Sequence, residues 1–325
     1  MKRPLFDRRS LIRLIAVLGG ILLTLLILIL IPLQTHRKPV PDPRYAEVRH
    51  TPAVTSEPTP EPVAPVFADP SSPDPDETLA AMLEDFSLTH EGKWDLYVFN
   101  LSRGEYASFS QFDGDPPVAA SLIKLFIMAC AYDQIQADQL SYHDLKYVIR
   151  NMIARSDNDC ANLVIKHLGN WHPEQGFAVV NEFAESIGCR DTSLNRMMWD
   201  DNGLQNYTSA ADCATLLRML YRYELATPVY SDEMLDWLKM QTVNDRIPAL
   251  LPEGTVCAHK TGDLEGLSYG DAGIVFSPRA DYVFCAICNE PADGQSAIND
   301  IAGLSLTVYN YFNPDETETA PDQND

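Results

Sequence analysis

Ser121-Leu122-Ile123-Lys124-Leu125-Phe126-Ile127-Met128-Ala129-Cys130-Ala131-Tyr132-Asp133 carries apolar side chains on nearly every side. Such a run reads as a helix buried on all faces, which requires other elements to pack around it. Working outward toward the N-terminus, Lys93–Asn100 and Glu105–Phe109 alternate like two paired strands, with Ser102-Arg103-Gly104 as the turn. Before them, Glu77–Phe86 places Leu79, Met82, Leu83 and Phe86 on one helical face. Working the other way, helical patterns cover Leu145–Ala154, Asp159–His167, Phe177–Ile187 and Ser209–Tyr223. Thr255–Lys260, Tyr269–Ser277 and Asp281–Asn289 then read as successive antiparallel strands, and Ser296–Phe312 closes as an amphipathic helix. Strands, then helices, then strands predict an α+β fold. One antiparallel sheet is completed from both ends of the unit and flanked by its N- and C-terminal helices. An all-helical subdomain is inserted between.

This unit, residues 77–313, lies within a chain of 325 residues. Lys2, Arg3, Arg8, Arg9 and Arg13 precede an uncharged run, rich in Leu and Ile, from Leu14 to Thr35. At helical rise that run spans roughly 30 Å, the thickness of a bilayer core. The basic flank predicts a cytoplasmic N-terminus and a single-pass cell-membrane protein whose folded domain, residues 77–313, is extracellular. Ile31-Pro32-Leu33-Gln34 ends the run without a small-x-small cleavage site, so residues 1–36 read as an uncleaved anchor rather than a cleaved signal. Residues 39–75 hold eleven prolines and predict an extended stalk over 37–76. Residues 314–325 read as an acidic tail without periodicity. The formal net charge of −22 argues against a nucleic-acid partner, because phosphate would be repelled. A monomer, touching the membrane only through its N-terminal helix, is expected.

Three short motifs carry the chemistry. Ser121-Leu122-Ile123-Lys124 is an S-x-x-K pattern at the head of the buried helix, where residues three apart share a face. A serine needs a base beside it, and a lysine flanked by Leu, Ile and Phe is desolvated toward its neutral, basic form. Ser156-Asp157-Asn158 alone would be an ordinary helix N-cap. Lys260-Thr261-Gly262 alone would be the end of a strand before a turn. In this order and in these elements, the three match the S-x-x-K, S-D-N and K-T-G set of class A β-lactamases and penicillin-binding proteins. The stretches Met152–Leu163 and Tyr207–Arg218 also resemble class A segments, and the resemblance covers about Leu79 to Phe312.

The resemblance implies an acyl-enzyme serine hydrolase of the β-lactamase-like fold. Carried over by motif, Ser121 is the acylated nucleophile, Lys124 its base partner and Ser156 the proton relay to the leaving nitrogen. Asn158 orients the substrate amide. Lys260 and Thr261, with Gly262 beside them, hold the substrate carboxylate, and the N–H groups of Ser121 and Asp263 form the oxyanion hole. Class A enzymes activate the deacylating water with the Glu of E-x-x-L-N. The matching stretch is Asp191-Thr192-Ser193-Leu194-Asn195, one methylene shorter at the carboxylate, with Cys189 where the family has an arginine. Asp191 is thus the candidate for deacylation and Asn195 its substrate-side partner; a helix-capping Asp191 is the alternative. The implied substrate is a β-lactam or, as alternatives, a peptidoglycan stem peptide hydrolysed in D,D-peptidase fashion, or a ligand held without turnover.

Two decoys fall away. Gly266-Leu267-Ser268-Tyr269-Gly270 fits G-x-S-x-G, but strand-like sequence follows Ser268 and no histidine occurs after His259. Cys285 and Cys288 fit C-x-x-C, but three residues apart on a strand they face opposite sides. Seven cysteines leave at least one thiol unpaired. No metal cluster, phosphate loop or dinucleotide fingerprint is visible, and neither metal nor cofactor is expected.

Overall fold

The computed structural model describes residues 74–200 and 203–314. The expected membrane anchor, most of the stalk and nearly all of the tail lie outside the described residues. Among the described residues, no helix is long and apolar enough to cross a membrane.

The first described residues already belong to the folded unit. The Asp76 N–H donates to the Tyr106 carbonyl, and Asp76 Oδ1 caps helix α1 (Glu77–Thr89) by accepting from the Leu79 N–H at 3.0 Å. Strands β1 (Lys93–Asn100) and β2 (Tyr106–Ser110) follow as an antiparallel pair. A 3-10 turn, Ala120–Ile123, leads into helix α2 (Lys124–Gln136). Helices α3 (Tyr142–Ala154), α4 (Asn158–Leu168), α5 (Pro173–Ser186), α6 (Ala210–Tyr221) and α7 (Pro228–Lys239) come next. Strands β3 (Val256–Leu264), β4 (Ser268–Phe276) and β5 (Tyr282–Asn289) precede helix α8 (Gly294–Phe312).

The five strands form one antiparallel sheet in the order β2-β1-β5-β4-β3. Strand β5 shows why the sheet needs cover on both faces, since all eight of its residues are buried. Tyr282, Phe284, Ala286 and Cys288 pack with Leu79, Leu83, Ile301 and Leu304 of α1 and α8. Val283, Cys285 and Ile287 pack on the opposite face with Leu122, Phe126 and the helical layer. This alternation separates Cys285 from Cys288, and all seven cysteines are free thiols.

Three details differ from the sequence reading. The helix predicted from Ser121 starts at Lys124, and Ser121 sits on the 3-10 turn ahead of it. Lys260-Thr261-Gly262 lies inside β3 rather than at its end, because β4 continues the ladder as far as Leu264↔Ser268. Helix α7 is not among the helices expected from the sequence, although Met234, Leu235 and Leu238 keep a helical spacing. It starts on Pro228 at its first turn and buries Met234, Leu235, Trp237 and Leu238.

Candidate active site

Three segments meet at Ser121. Ala120, with φ 46°, takes the left-handed conformation that turns the chain into the 3-10 turn. Strand β3 passes close behind that turn. A Cβ on Gly262 would lie 3.1 Å from the Ala119 carbonyl oxygen and from Leu122 Cγ, so any other residue there would push the turn outward by a few tenths of an ångström.

The second segment joins α3 to α4. Asp157 is the N-cap of α4, its carboxylate accepting from the Cys160 N–H at 2.8 Å. The capping reading of Ser156-Asp157-Asn158 therefore holds for the middle residue and leaves the outer two to face α2. Ser156 is held left-handed, at φ 54°, and offers both its carbonyl and its hydroxyl to Lys124.

Lys124 is the hub. Its Nζ lies 3.0 Å from Ser121 Oγ, 2.6 Å from the Ser156 carbonyl oxygen, 3.2 Å from Ser156 Oγ and 2.5 Å from Asn158 Oδ1. An ammonium has three protons for these four acceptors, whereas a neutral amine can accept the Ser121 O–H instead. Burial lowers the Lys124 pKa to about 8, against the opposing pull of the Asp157 carboxylate. Lys260 is wholly buried on β3. Its Nζ donates to Ser156 Oγ at 2.9 Å and to the Thr261 carbonyl at 2.6 Å. Burial first, and the Lys124 charge second, push it well below the usual lysine range.

Ser121, Asn158 and Asp263 line one cleft of about 310 Å³. Strand β3 is the edge of the sheet, so its outer N–H row faces away from any partner strand. The Asp263 carboxylate is ion-paired with the buried Arg246 guanidinium. Arg246 lies in an irregular segment and belongs to no motif, so no pattern singles it out. Its segment is anchored by a buried network. The His259 ring bonds Asp271 at 2.9 Å and Asn244 at 3.0 Å, and Asp271 accepts from the Ile247 N–H at 3.2 Å.

Asp191 and Asn195 are not brought to this cleft. Asp191 lines a different cavity with Asp95, Tyr97 and Ser110, and its N–H donates to Asp212 Oδ2 at 2.9 Å. Burial raises the Asp212 pKa to about 6 and raises that of Asp95 as well, with the nearby Asp191 charge adding to both. The Asn195 side chain holds its own loop, donating to the Gln205 carbonyl at 2.8 Å. Leu194 is fully buried and anchors the turn between the two. The loop reaches the cleft further on, at Arg196, Met198, Trp199 and Asp200. Met198 is fixed by the Asn162 side chain, which accepts from its N–H at 2.8 Å and donates to its carbonyl at 2.9 Å. Asp200 and Asp263 are the cleft's carboxylates among the described residues. No three of His, Cys, Asp and Glu among the described residues are grouped to hold a metal ion.

Residues 142–312 match the family described as the β-lactamase enzyme family. The chain is 26% identical over 190 residues to the extended-spectrum β-lactamase PER-1 of Pseudomonas aeruginosa, covering 54% of this chain and 59% of that one. It is 22% identical over 182 residues to β-lactamase VEB-1 of the same organism, again with 59% of the relative covered. The chain thus spans less than two thirds of the length of these relatives. Among solved structures, PBP-A superimposes with a TM-score of 0.66 at 28% identity, covering 74% of this chain and 98% of PBP-A. A variant of PBP-A is known as an acyl-enzyme complex with penicillin G.

Proposed function

Because the chain belongs to the β-lactamase enzyme family, we propose that it is a serine hydrolase that opens β-lactams through an ester on Ser121 and then hydrolyses that ester. The observation that carries this reading is the 3.0 Å contact between Ser121 Oγ and a lysine amine whose pKa burial has brought to about 8. In its neutral form Lys124 takes the Ser121 proton as Oγ attacks the lactam carbonyl. Negative charge on the carbonyl oxygen is received by the N–H groups of Ser121 and Asp263. Ser156, hydrogen-bonded by both lysines, delivers a proton to the departing nitrogen. Asn158 uses its Oδ1 on Lys124, leaving its Nδ2 to donate to the substrate amide. Lys260 and Thr261 receive the substrate carboxylate.

Treatment with a β-lactam should raise the intact mass by one acyl group, and Ser121→Ala should abolish the rise. Persistent labelling of Ser121→Ala would remove the nucleophile assignment.

A second reading, a D,D-peptidase-like acyl hydrolase acting on peptidoglycan stem peptides, is favoured by one observation. The expected deacylating carboxylate, Asp191, faces a different cavity, and the loop brings Met198, Trp199 and Asp200 to the cleft instead. A penicillin ester lasting for hours, alongside turnover of a D-Ala-D-Ala peptide, would select that reading. A lasting ester without peptide turnover would select a binding module. The same proposal places the domain outside the cell on an anchor formed by residues 1–36, so protease added to intact cells should release it through residues 37–76.

A further inference from the structure

Ser268, the serine of the G-x-S-x-G match, is not exposed as a nucleophile would be. It is 1% exposed at the head of β4, and in the sheet register it sits opposite Asn289, the last residue of β5, which is 4% exposed. Neither side chain lines the Ser121 cleft. Both are turned on Val118, three residues before the nucleophile. The Val118 N–H donates to Asn289 Oδ1 at 2.7 Å, Asn289 Nδ2 donates to Ser268 Oγ at 2.9 Å, and the Ser268 hydroxyl donates to the Val118 carbonyl at 2.7 Å. These three bonds close a ring in which no direction conflicts, and Asn289 Nδ2 also reaches the Val118 carbonyl, at 3.5 Å.

The other edge of the same segment is held by main chain. The Ala119 N–H donates to the Asn206 carbonyl at 2.8 Å and the Thr208 N–H to the Pro117 carbonyl at 3.2 Å, with Val118 bridged to Tyr207. Residues 117–119 therefore lie like a short strand between the loop ahead of α6 and two side chains at the sheet's end. Immediately after it, Ala120 takes its left-handed turn and sets down Ser121. A strained conformation of this kind persists only where the surroundings over-determine it.

Resting on the acyl-enzyme reading above, we infer that Ser268 and Asn289 are positioning residues for acylation. Their ring with Val118 fixes the segment whose end presents the Ser121 hydroxyl and N–H. Without the Ser268 hydroxyl, the Val118 carbonyl and Asn289 Nδ2 each lose their shorter buried bond and keep only the 3.5 Å contact with one another, so the segment can relax away from the sheet. A shift of about 1 Å at the nucleophile costs on the order of a hundredfold in rate. The substrate carboxylate is gripped elsewhere, by Lys260 and Thr261, so binding should be spared.

The test compares wild type, Ser268→Ala and Asn289→Leu with Leu304→Ala, a core truncation in α8 that lowers stability away from the site. Stopped-flow acylation by a fluorescent penicillin separates the acylation rate constant from the binding constant. Hydrogen exchange of the peptide spanning 116–122 follows the segment without any substrate. The expected result is a tenfold to hundredfold loss of the acylation rate constant in both ring variants, binding within threefold of wild type, and faster exchange over 116–122. Leu304→Ala should acylate normally while folded. The inference is overturned if Ser268→Ala acylates within twofold of wild type, if exchange over 116–122 does not change, or if Leu304→Ala loses acylation to the same degree. If wild type itself takes no penicillin, the proposed function fails, and the exchange data still decide whether the ring holds the segment.

Discussion

Replacing Lys124 with methionine keeps most of the side chain's volume and removes its amine. The magnitude follows from burial. An ordinary lysine titrates at 10.5, and Lys124 is brought to about 8. That difference corresponds to about 3 kcal/mol against the charged form. At pH 7 it raises the neutral fraction from about one molecule in three thousand to about one in ten. General-base help from a positioned group contributes about 10²- to 10⁴-fold, so Lys124→Met should lose acylation on that scale. The wild-type acylation rate constant should rise with pH and reach half its plateau near pH 8. Stability carries the same signature with a definite sign. Between about pH 8 and pH 10.5 the unfolded chain binds a proton that the folded chain does not, so stability increases with pH across that window. Below pH 8 both states are protonated and the full penalty is present; above 10.5 it is gone. Lys124→Met should flatten that slope and gain stability at neutral pH. Stopped-flow acylation from pH 6 to pH 10, with denaturant melts at the same values, measures both. Acylation by Lys124→Met within tenfold of wild type, or a flat pH profile for the native enzyme, would refute the assignment of Lys124 as base.

The remaining expectations concern the rest of the cleft and its loop. Lys260→Ala should reduce acylation efficiency by roughly a hundredfold for donors bearing a carboxylate, since truncating one partner of a buried charge pair costs about 2–5 kcal/mol. The corresponding methyl esters should be affected far less, and comparing the two donor series checks the role. Asp191→Asn should leave the lifetime of the acyl-enzyme within about twofold of wild type and stability within about 0.5 kcal/mol, as judged by mass decay and thermal melting. A tenfold longer lifetime would mean that the loop brings Asp191 to the ester. Met198→Glu, which places a carboxylate on the cleft wall at a position fixed by Asn162, should shorten the acyl-enzyme lifetime, read in the same mass-decay assay.

Much of this site could be read from the sequence because its residues are tied to regular elements. Lys124 is recognisable as buried because Leu122 to Tyr132 leaves no polar face for it to use. Ser156 and Asn158 flank Asp157, whose capping of α4 is a local property of the chain. Lys260 lies on a strand whose pairing with β4 fixes which way it points. The residues whose roles no sequence pattern reveals act through long-range contacts. Arg246 matters because the fold delivers it to Asp263. Ser268 and Asn289 matter because strand pairing places them side by side beneath Val118.

Asp191 exposes a different weakness of pattern reading. A four-residue spacing from Asp191 to Asn195 has meaning on a helix, where it fixes a common face. On an irregular loop it fixes nothing, and direction is decided by whichever side chain buries best. Here that side chain is Leu194, fully enclosed in the helical layer. The Ser193–Tyr207 bridge then sends Asp191 toward Asp95 and Asp212, and the chain reaches the cleft only with Arg196 and the residues after it. The two halves of the proposed reaction therefore rest on unequal foundations. Acylation draws on a 3-10 turn, a helix cap and an edge strand, each fixed by the core. Hydrolysis draws on the loop, where Asn162 holds an apolar residue, Met198, at the cleft wall. A water attacking the Ser121 ester would meet a wall to which this loop contributes Met198 together with the Asp200 carboxylate, while Asp191 is turned toward another cavity, so release of the acyl group is the step at which the rate of the proposed reaction, and the choice of its substrate, should be decided.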